Sequence, residues 1–325
     1  MIEAQDLEKT YDAGGAPALA GVSFCVQRGE RLAIVGPSGS GKTTLLRVLA
    51  GLERPDAGAV RVDGDDVSER APRKRGLVFL AQRDALFPHM SVGRNLRFAA
   101  APDDRVAAIA ALLEIDGLLE RRPAQLSGGQ RQRVAVARAL LTHARGTLFD
   151  EPFAHLDPPV RVALRRRLTA LDRETLGALI YVTHDHEDAM NVGDRVAVLI
   201  AGKIVQCDAP RAVYDAPATL DAARFLGPLP MNLIDGLGEE LGFGPFILGV
   251  RAEHLAIDGD GEMRAQVERV ELSGTDAVVE TTSSAGRVSV RCAAEDAPAL
   301  GARIGLRLDR SKICRYDRST GARVA

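Results

Sequence analysis

Through the first two-thirds of the chain the apolar residues come in short blocks. VSFCV at 22–26, RLAIV at 31–35, GLVFL at 76–80 and LIYV at 179–182 are aliphatic, rich in β-branched residues and too short for helices, so they predict strands. Elsewhere the spacing turns helical: Leu45, Leu46, Leu49 and Ala50 form one stripe, and Val134, Ala137 and Leu141 another. Residues 1 to about 82 thus mix strands with one helix, residues about 83 to 140 read as mostly helical, and residues about 146 to 207 alternate strands with helices. That pattern predicts an α/β core with a helical insertion. Further helical patterns near 210–214 and 219–226 lead to GPLP at 227–230 and a glycine-rich stretch from Gly236 to Gly244, where a domain boundary belongs. From Phe246 onward the runs FILGV, AQVERVEL, DAVVE, RVSVR and IGLRLD predict a small β-barrel or sandwich. The expected domains are 1–228, with its helical part at about 83–140, and 229–325.

Composition narrows the class. With 325 residues, 46% of them hydrophobic, the chain can bury a sizeable core in about two domains. No apolar stretch approaches the roughly eighteen residues of a membrane span, and MIEAQDLEK lacks the basic-then-apolar pattern of a signal peptide. Cys25, Cys207, Cys292 and Cys314 are scattered without C-x-x-C spacing, which argues for buried thiols in a reducing, cytosolic compartment. A formal net charge of -2 makes no general electrostatic case for nucleic acid.

The candidate chemistry begins where RLAIV ends. GPSGSGKTT, from Gly36 to Thr44, fits G-x-x-x-x-G-K-[ST] and stands between a predicted strand and a predicted helix. Gly36, Gly39 and Gly41, interleaved with Pro37, Ser38 and Ser40, free the backbone to turn its N–H groups inward at a helix N-terminus that suits phosphate. Lys42 would reach the β- and γ-phosphates of a nucleotide and Thr43 would give its hydroxyl to Mg2+, with Thr44 completing the loop. Asp150 and Glu151 emerge at the carboxyl end of the strand Thr147–Phe149, where α/β sheets place ligands. Asp150 is the expected magnesium ligand and Glu151 the expected general base. In LSGGQ, Leu126 leads to Ser127, a candidate N-cap, and Gly128, Gly129 and Gln130 then open a helix whose free N–H groups and dipole want an anion. Arg131 and Arg133 read as helix-surface charges.

Together, GPSGSGKTT and LSGGQ resemble the ABC transporter ATPases, in which LSGGQ closes a second phosphate site in trans. The resemblance implies a P-loop NTPase (ABC ATPase) core with a helical subdomain, then a small all-β, OB-like TOBE domain, with ATP and Mg2+ as ligands. It also implies residue roles. Tyr11, in LEKTYDAGG, matches the aromatic on which adenine stacks; Gln82, in FLAQRDALFPHMSV, matches the glutamine that senses magnesium and the water. His184, in LIYVTHDHEDAM, matches the switch histidine of the γ-phosphate, and Asp157, in EPFAHLDPP, the aspartate of the loop facing the partner subunit, where His155 is unusual. Leu86, Phe87 and His89 fall in the stretch that lines a groove for the permease coupling helix. His184 and His186 would not form a metal pair, because alternate residues at a strand end point to opposite faces. His186 reads instead as a solvated helix start favoured by Glu187 and Asp188. One departure from the family, the low apolarity of Gly146 and Thr147, bears on the strand's strength and not on the carboxylates.

The stretch from Val192 to Gly227, PLPMN at 228–232 and LGVRAEHL at 248–255 look like importer ATPases of the maltose and glycerol-3-phosphate type. In that resemblance the PLPMN junction favours the carbohydrate branch over the polyamine and iron(III) branches, which stay as alternatives, and LFPHMSVGRNLRFA is also similar to molybdate-importer ATPases, so molybdate stays open as well. What the resemblance implies is an ATP-hydrolysing homodimer, peripheral at the cytoplasmic face of the inner membrane, beneath two integral-membrane permease subunits served by a separate solute-binding protein. A soluble ABC protein acting on DNA or ribosomes would show two cassettes or a long coiled coil, and neither is visible. A P-loop kinase would leave LSGGQ and His184 unexplained.

Overall fold

A computed structural model describes residues 1–12, 14–81, 86–154, 156–171, 173 and 177–324. They form two compact units, Met1–Pro210 and Arg211–Ala325.

Along the first unit run β1 (Ile2–Lys9), β2 (Leu19–Val26), β3 (Arg31–Val35), α1 (Lys42–Ala50), β4 (Ala57–Val62), β5 (Asp65–Asp66), β6 (Leu77–Leu80) and α2 (Val92–Arg97). There follow α3 (Asp103–Leu112), α4 (Gly128–Leu141), β7 (Gly146–Asp150), α5 (Pro158–Ala170), β8 (Ala178–Val182), α6 (His186–Val192), β9 (Arg195–Ile200) and β10 (Lys203–Asp208). One sheet has the order β10-β9-β3-β8-β7-β6 and is parallel except for its β9–β10 edge. A second, antiparallel sheet has the order β2-β1-β4-β5.

The strands β3, β7 and β8 are buried along their whole length, as continuous apolar runs covered on both faces must be. Alternation divides them between two cores. Leu148 and Ile180 join Ile2, Leu19 and Leu45 in one, while Phe149 and Tyr181 join Leu96, Ile109, Val134 and Leu164 of the helical side in the other. The central sheet is therefore the wall against which the helical insertion packs.

The polar start of β7 stays in the sheet, Gly146 pairing with Leu77 and Ala178. A Cβ on Gly146 would stand 2.5 Å from Ile2 Cδ1 and 2.9 Å from the Ala178 carbonyl oxygen, so the glycine is what lets the two sheets approach. Thr147 beside it is buried.

The second unit follows α7 (Pro210–Asp215), which spans the division, and holds α8 (Leu220–Phe225), β11 (Asn232–Ile234), β12 (Ile247–Val250), β13 (Leu255–Ile257), β14 (Met263–Ser273) and β15 (Asp276–Ser283). It ends with β16 (Gly286–Ala293), β17 (Arg303–Leu308), β18 (Cys314–Tyr316) and β19 (Arg323–Val324). These strands make two antiparallel sheets, β13-β17-β14-β15-β16 and β11-β12-β18-β19, around Leu248, Val250, Val267, Val279, Val290 and Leu306. Residues 211–226 sit with this β unit because a buried arginine ties them down. Arg251, 1% exposed, donates to the carbonyls of Leu226 at 2.5 Å and Tyr214 at 2.8 Å and lies 4.0 Å above the Tyr214 ring. The Tyr316 hydroxyl adds a bond to the Pro217 carbonyl at 3.1 Å.

Gly146→Ala is expected to cost about 1–3 kcal/mol by overpacking, measured by urea unfolding. The control Gly117→Ala, whose added methyl meets nothing within 4 Å, should stay within about 0.5 kcal/mol of the parent.

Candidate nucleotide site

β3 runs into the glycine-rich loop and α1 begins at Lys42. Gly39 and Gly41 have φ values of 79° and 103°, in the region that favours glycine. A Cβ on Gly36 would stand 2.0 Å from the Leu199 carbonyl oxygen, and one on Gly41 2.1 Å from that of Ala18. The loop is thus wedged between neighbouring backbones at both ends. Lys42, 8% exposed, lies back across it and donates to the carbonyls of Gly36 at 2.7 Å and Pro37 at 2.8 Å. Burial lowers the pKa of this ammonium, with Glu151 and Asp150 opposing. A depression of about 290 Å³ opens over the loop, lined by Ser38, Gly39, Lys42, Thr43, Thr44 and Glu151.

Asp150 closes β7 and is buried. Its Oδ1 lies 3.5 Å from the Thr43 hydroxyl, and burial raises its pKa against the pull of that hydrogen bond. Glu151 takes φ +50°, a strained value for a non-glycine residue, while its N–H donates to the Val182 carbonyl at 2.9 Å. His184 follows β8, and its Nδ1 stands 2.9 Å from Glu151 Oε1. Tyr11, 55% exposed, donates from its hydroxyl to Thr44 Oγ1 at 3.3 Å. So the fold brings Tyr11, the loop from Gly36 to Thr44, Asp150, Glu151 and His184 to one edge of the central sheet. Gln82 and His155 lie outside the described residues.

Leu126 to Gln130 form a separate feature. Ser127 Oγ accepts from the Gln130 N–H at 3.2 Å and Gln130 Oε1 accepts from the Ser127 N–H at 3.0 Å, a reciprocal cap at the start of α4. Leu126 is buried, and a Cβ on Gly129 would lie 3.0 Å from Leu156 Cδ2, so this end packs beside the segment leading to Asp157. Gly128 and Asp157 are exposed, and Asp157 caps α5 through its carbonyl, which accepts from the Arg161 N–H. Among the described residues no hydrogen bond or ion pair joins 126–130 to 36–44. Arg131 and Arg133 are not ordinary surface charges. Arg131 donates to the Leu126 carbonyl at 2.7 Å and Arg133 to those of Leu113 and Glu114 at 3.2 and 3.3 Å, pinning the first turns of α4.

Phe87 belongs to a half-exposed aromatic group: its ring centroid is 4.7 Å from that of Phe98, and the Arg138 guanidinium lies 5.2 Å from it. Asn95, wholly buried, holds this stretch by accepting from the Phe87 N–H at 2.8 Å and donating to the Phe87 carbonyl at 3.1 Å.

Sequence reasoning missed the groups beneath His184. Asp188 is not solvated: it is 2% exposed and accepts from Arg165 at 3.1 Å and from the Tyr181 hydroxyl at 3.2 Å. Burial raises the pKa of Asp188. Asp185 caps α6 by accepting from the Asp188 N–H at 3.0 Å and pairs with Arg161 at 2.6 Å. Burial works against the Asp185 carboxylate, but the Asp188 N–H and Arg161 outweigh it and lower its pKa. The available signal was the pair Arg161 and Arg165, four apart and so on one face of a helix.

A strand, a glycine loop and a helix beside two carboxylates at a strand end define a P-loop NTPase. Residues 19–154 match the ABC transporter family and residues 248–314 the TOBE domain. The chain is 37% identical to the sn-glycerol-3-phosphate import ATP-binding protein UgpC of Rhodopseudomonas palustris, over 99% of each chain. It is 38% identical to the protein of that name from Cereibacter sphaeroides, again over 99% of each. A solved dimeric ATP-binding cassette, in a post-hydrolysis state bound to ADP and Pi, aligns with a TM-score of 0.59 and 28% identity over 65% of this chain and 99% of that one. The chain belongs to the ABC transporter ATP-binding proteins, in the importer branch with a C-terminal TOBE domain, and it binds and hydrolyses ATP. No helix among the described residues is long and apolar enough to cross a membrane.

The buried Asp150 yields a linked prediction. Its folded-state pKa is raised, so the ionised carboxylate penalises folding at neutral pH, and the penalty disappears as pH falls through the folded pKa toward the unfolded one. Asp150→Asn should raise the Tm of the nucleotide-free protein at neutral pH, and the gain should shrink on acidification. An unchanged or lower neutral Tm would mean that the Thr43 contact outweighs burial.

Proposed function

We propose that this chain is the ATPase subunit of an importer for glycerol-3-phosphate or a related carbohydrate. Two copies work at the cytoplasmic face of the inner membrane beneath two integral-membrane permease subunits, which a separate solute-binding protein supplies. The observation that carries the catalytic side is the 2.9 Å contact between Glu151 and His184 beside the phosphate loop. The solute class is supported by the full-length relatives named for glycerol-3-phosphate import.

Asp150 and the Thr43 hydroxyl, 3.5 Å apart, are the hard oxygen donors that Mg2+ takes, so these residues fit the ion. Magnesium there would neutralise charge on the nucleotide phosphates. In this reading the N–H groups of Ser38 to Thr44 hold the phosphates, Lys42 exchanges the Gly36 and Pro37 carbonyls for phosphate oxygens, and Tyr11 stacks on adenine. Glu151 takes the proton of the attacking water, and His184 orients that carboxylate and reaches the γ-phosphate. Gln82 serves the metal and the water. Leu126 to Gln130 of one copy close over the nucleotide of the other, with Asp157 at the interface. Residues 1–228 carry this chemistry, and 229–325 form the TOBE part, which braces or regulates.

Glu151→Gln should cut ATP turnover by about a hundredfold or more while ATP affinity stays within about threefold. With ATP it should accumulate as a dimer on light scattering, and adding Ser127→Arg should return it to monomer. Turnover within threefold of the parent would remove Glu151 from the base role. For the solute, deleting the gene should abolish uptake of labelled glycerol-3-phosphate and re-expression should restore it; unaltered uptake would redirect the search to other carbohydrates.

A further inference from the structure

His184 is an exposed side chain on a short linker. Its side chain is 59% accessible and lies against Glu151. An imidazole so placed keeps one orientation only if the backbone on both sides is held. On one side, the Thr183 N–H bonds to the Ile34 carbonyl at 3.2 Å. On the other, the two oxygens of Asp185 divide their work: Oδ1 caps α6 and Oδ2 accepts from Arg161 at 2.6 Å. Asp188 is held the same way, by Arg165 on Oδ1 and the Tyr181 hydroxyl on Oδ2.

We propose that Arg161 and Arg165 are positioning residues for hydrolysis, holding the start of α6 through Asp185 and Asp188 so that His184 stays against Glu151. The proposal rests on the reading of Glu151 and His184 given above. Exposed ion pairs contribute little, but here the side chains are only 23% and 25% accessible in the first pair and 12% and 3% in the second. Both arginines leave one face of α5, whose first turn follows directly on Asp157. The two ion pairs therefore join α5 directly to the residues that follow His184. Were the pairs mere adhesive between α5 and α6, their loss would lower stability and leave turnover per folded molecule unchanged.

The test is a double-mutant cycle on the full chain with ATP and magnesium, using Arg161→Met, His184→Ala and the double variant. Arg161→Met should lower kcat about tenfold with KM within about twofold, Arg161→Lys should recover most of the loss, and Arg161→Met should add less than about twofold to His184→Ala. An unchanged kcat in Arg161→Met, or a tenfold loss repeated in the His184→Ala background, overturns the proposal. Parental turnover in His184→Ala overturns the reading of His184 and the proposal with it. Should Arg161→Met fail to fold, Arg165→Met, which leaves Asp188 its tyrosine partner, is read through the same cycle.

Discussion

The site depends on one constraint, the parallel register of β3, β8 and β7. Val182 pairs with Ile34 on one side and with Asp150 on the other. Three strands buried on both faces must therefore end together, and whatever follows them surfaces on one edge. The phosphate loop, the Asp150–Glu151 pair and His184 are neighbours for that reason, although long stretches of chain separate them.

At that edge the protein holds charge in places that do not favour folding. Lys42 and Asp150 are both buried, with pKa values moved toward their neutral forms, and Glu151 holds a strained backbone. Such features persist because the surrounding sheet over-determines them. They are consistent with a site built to receive a polyanion and a cation rather than to stabilise the empty fold.

Helix α5 joins the two halves of the first unit. Arg161 and Arg165 reach the start of α6, while Arg167 turns to the Leu112 carbonyl and the Glu114 carboxylate. The same turn receives Arg133 from α4. The helix that LSGGQ opens and the linker that carries His184 are thus connected through one strut of ordinary helix, by way of Arg161, Arg165 and Arg167.

Much of this was legible in the chain itself. Local rules suffice for a loop of Gly36, Gly39, Gly41 and Lys42 between a strand and a helix, for the Ser127–Gln130 cap and for the β-rich second unit, because each depends on residues close in sequence. Tertiary structure decided the rest. Gly146 reads as a flaw in a strand until Ile2 and Ala178 are brought against it. Arg133, Asp188 and Arg251 read as surface charges or passing residues until the groups they bind, the Leu113 carbonyl, the Arg165 guanidinium and the Leu226 carbonyl, arrive from segments twenty or more residues away. A buried polar group is recognised by its partners, and partners so far apart along the chain leave no periodic trace in the sequence near it.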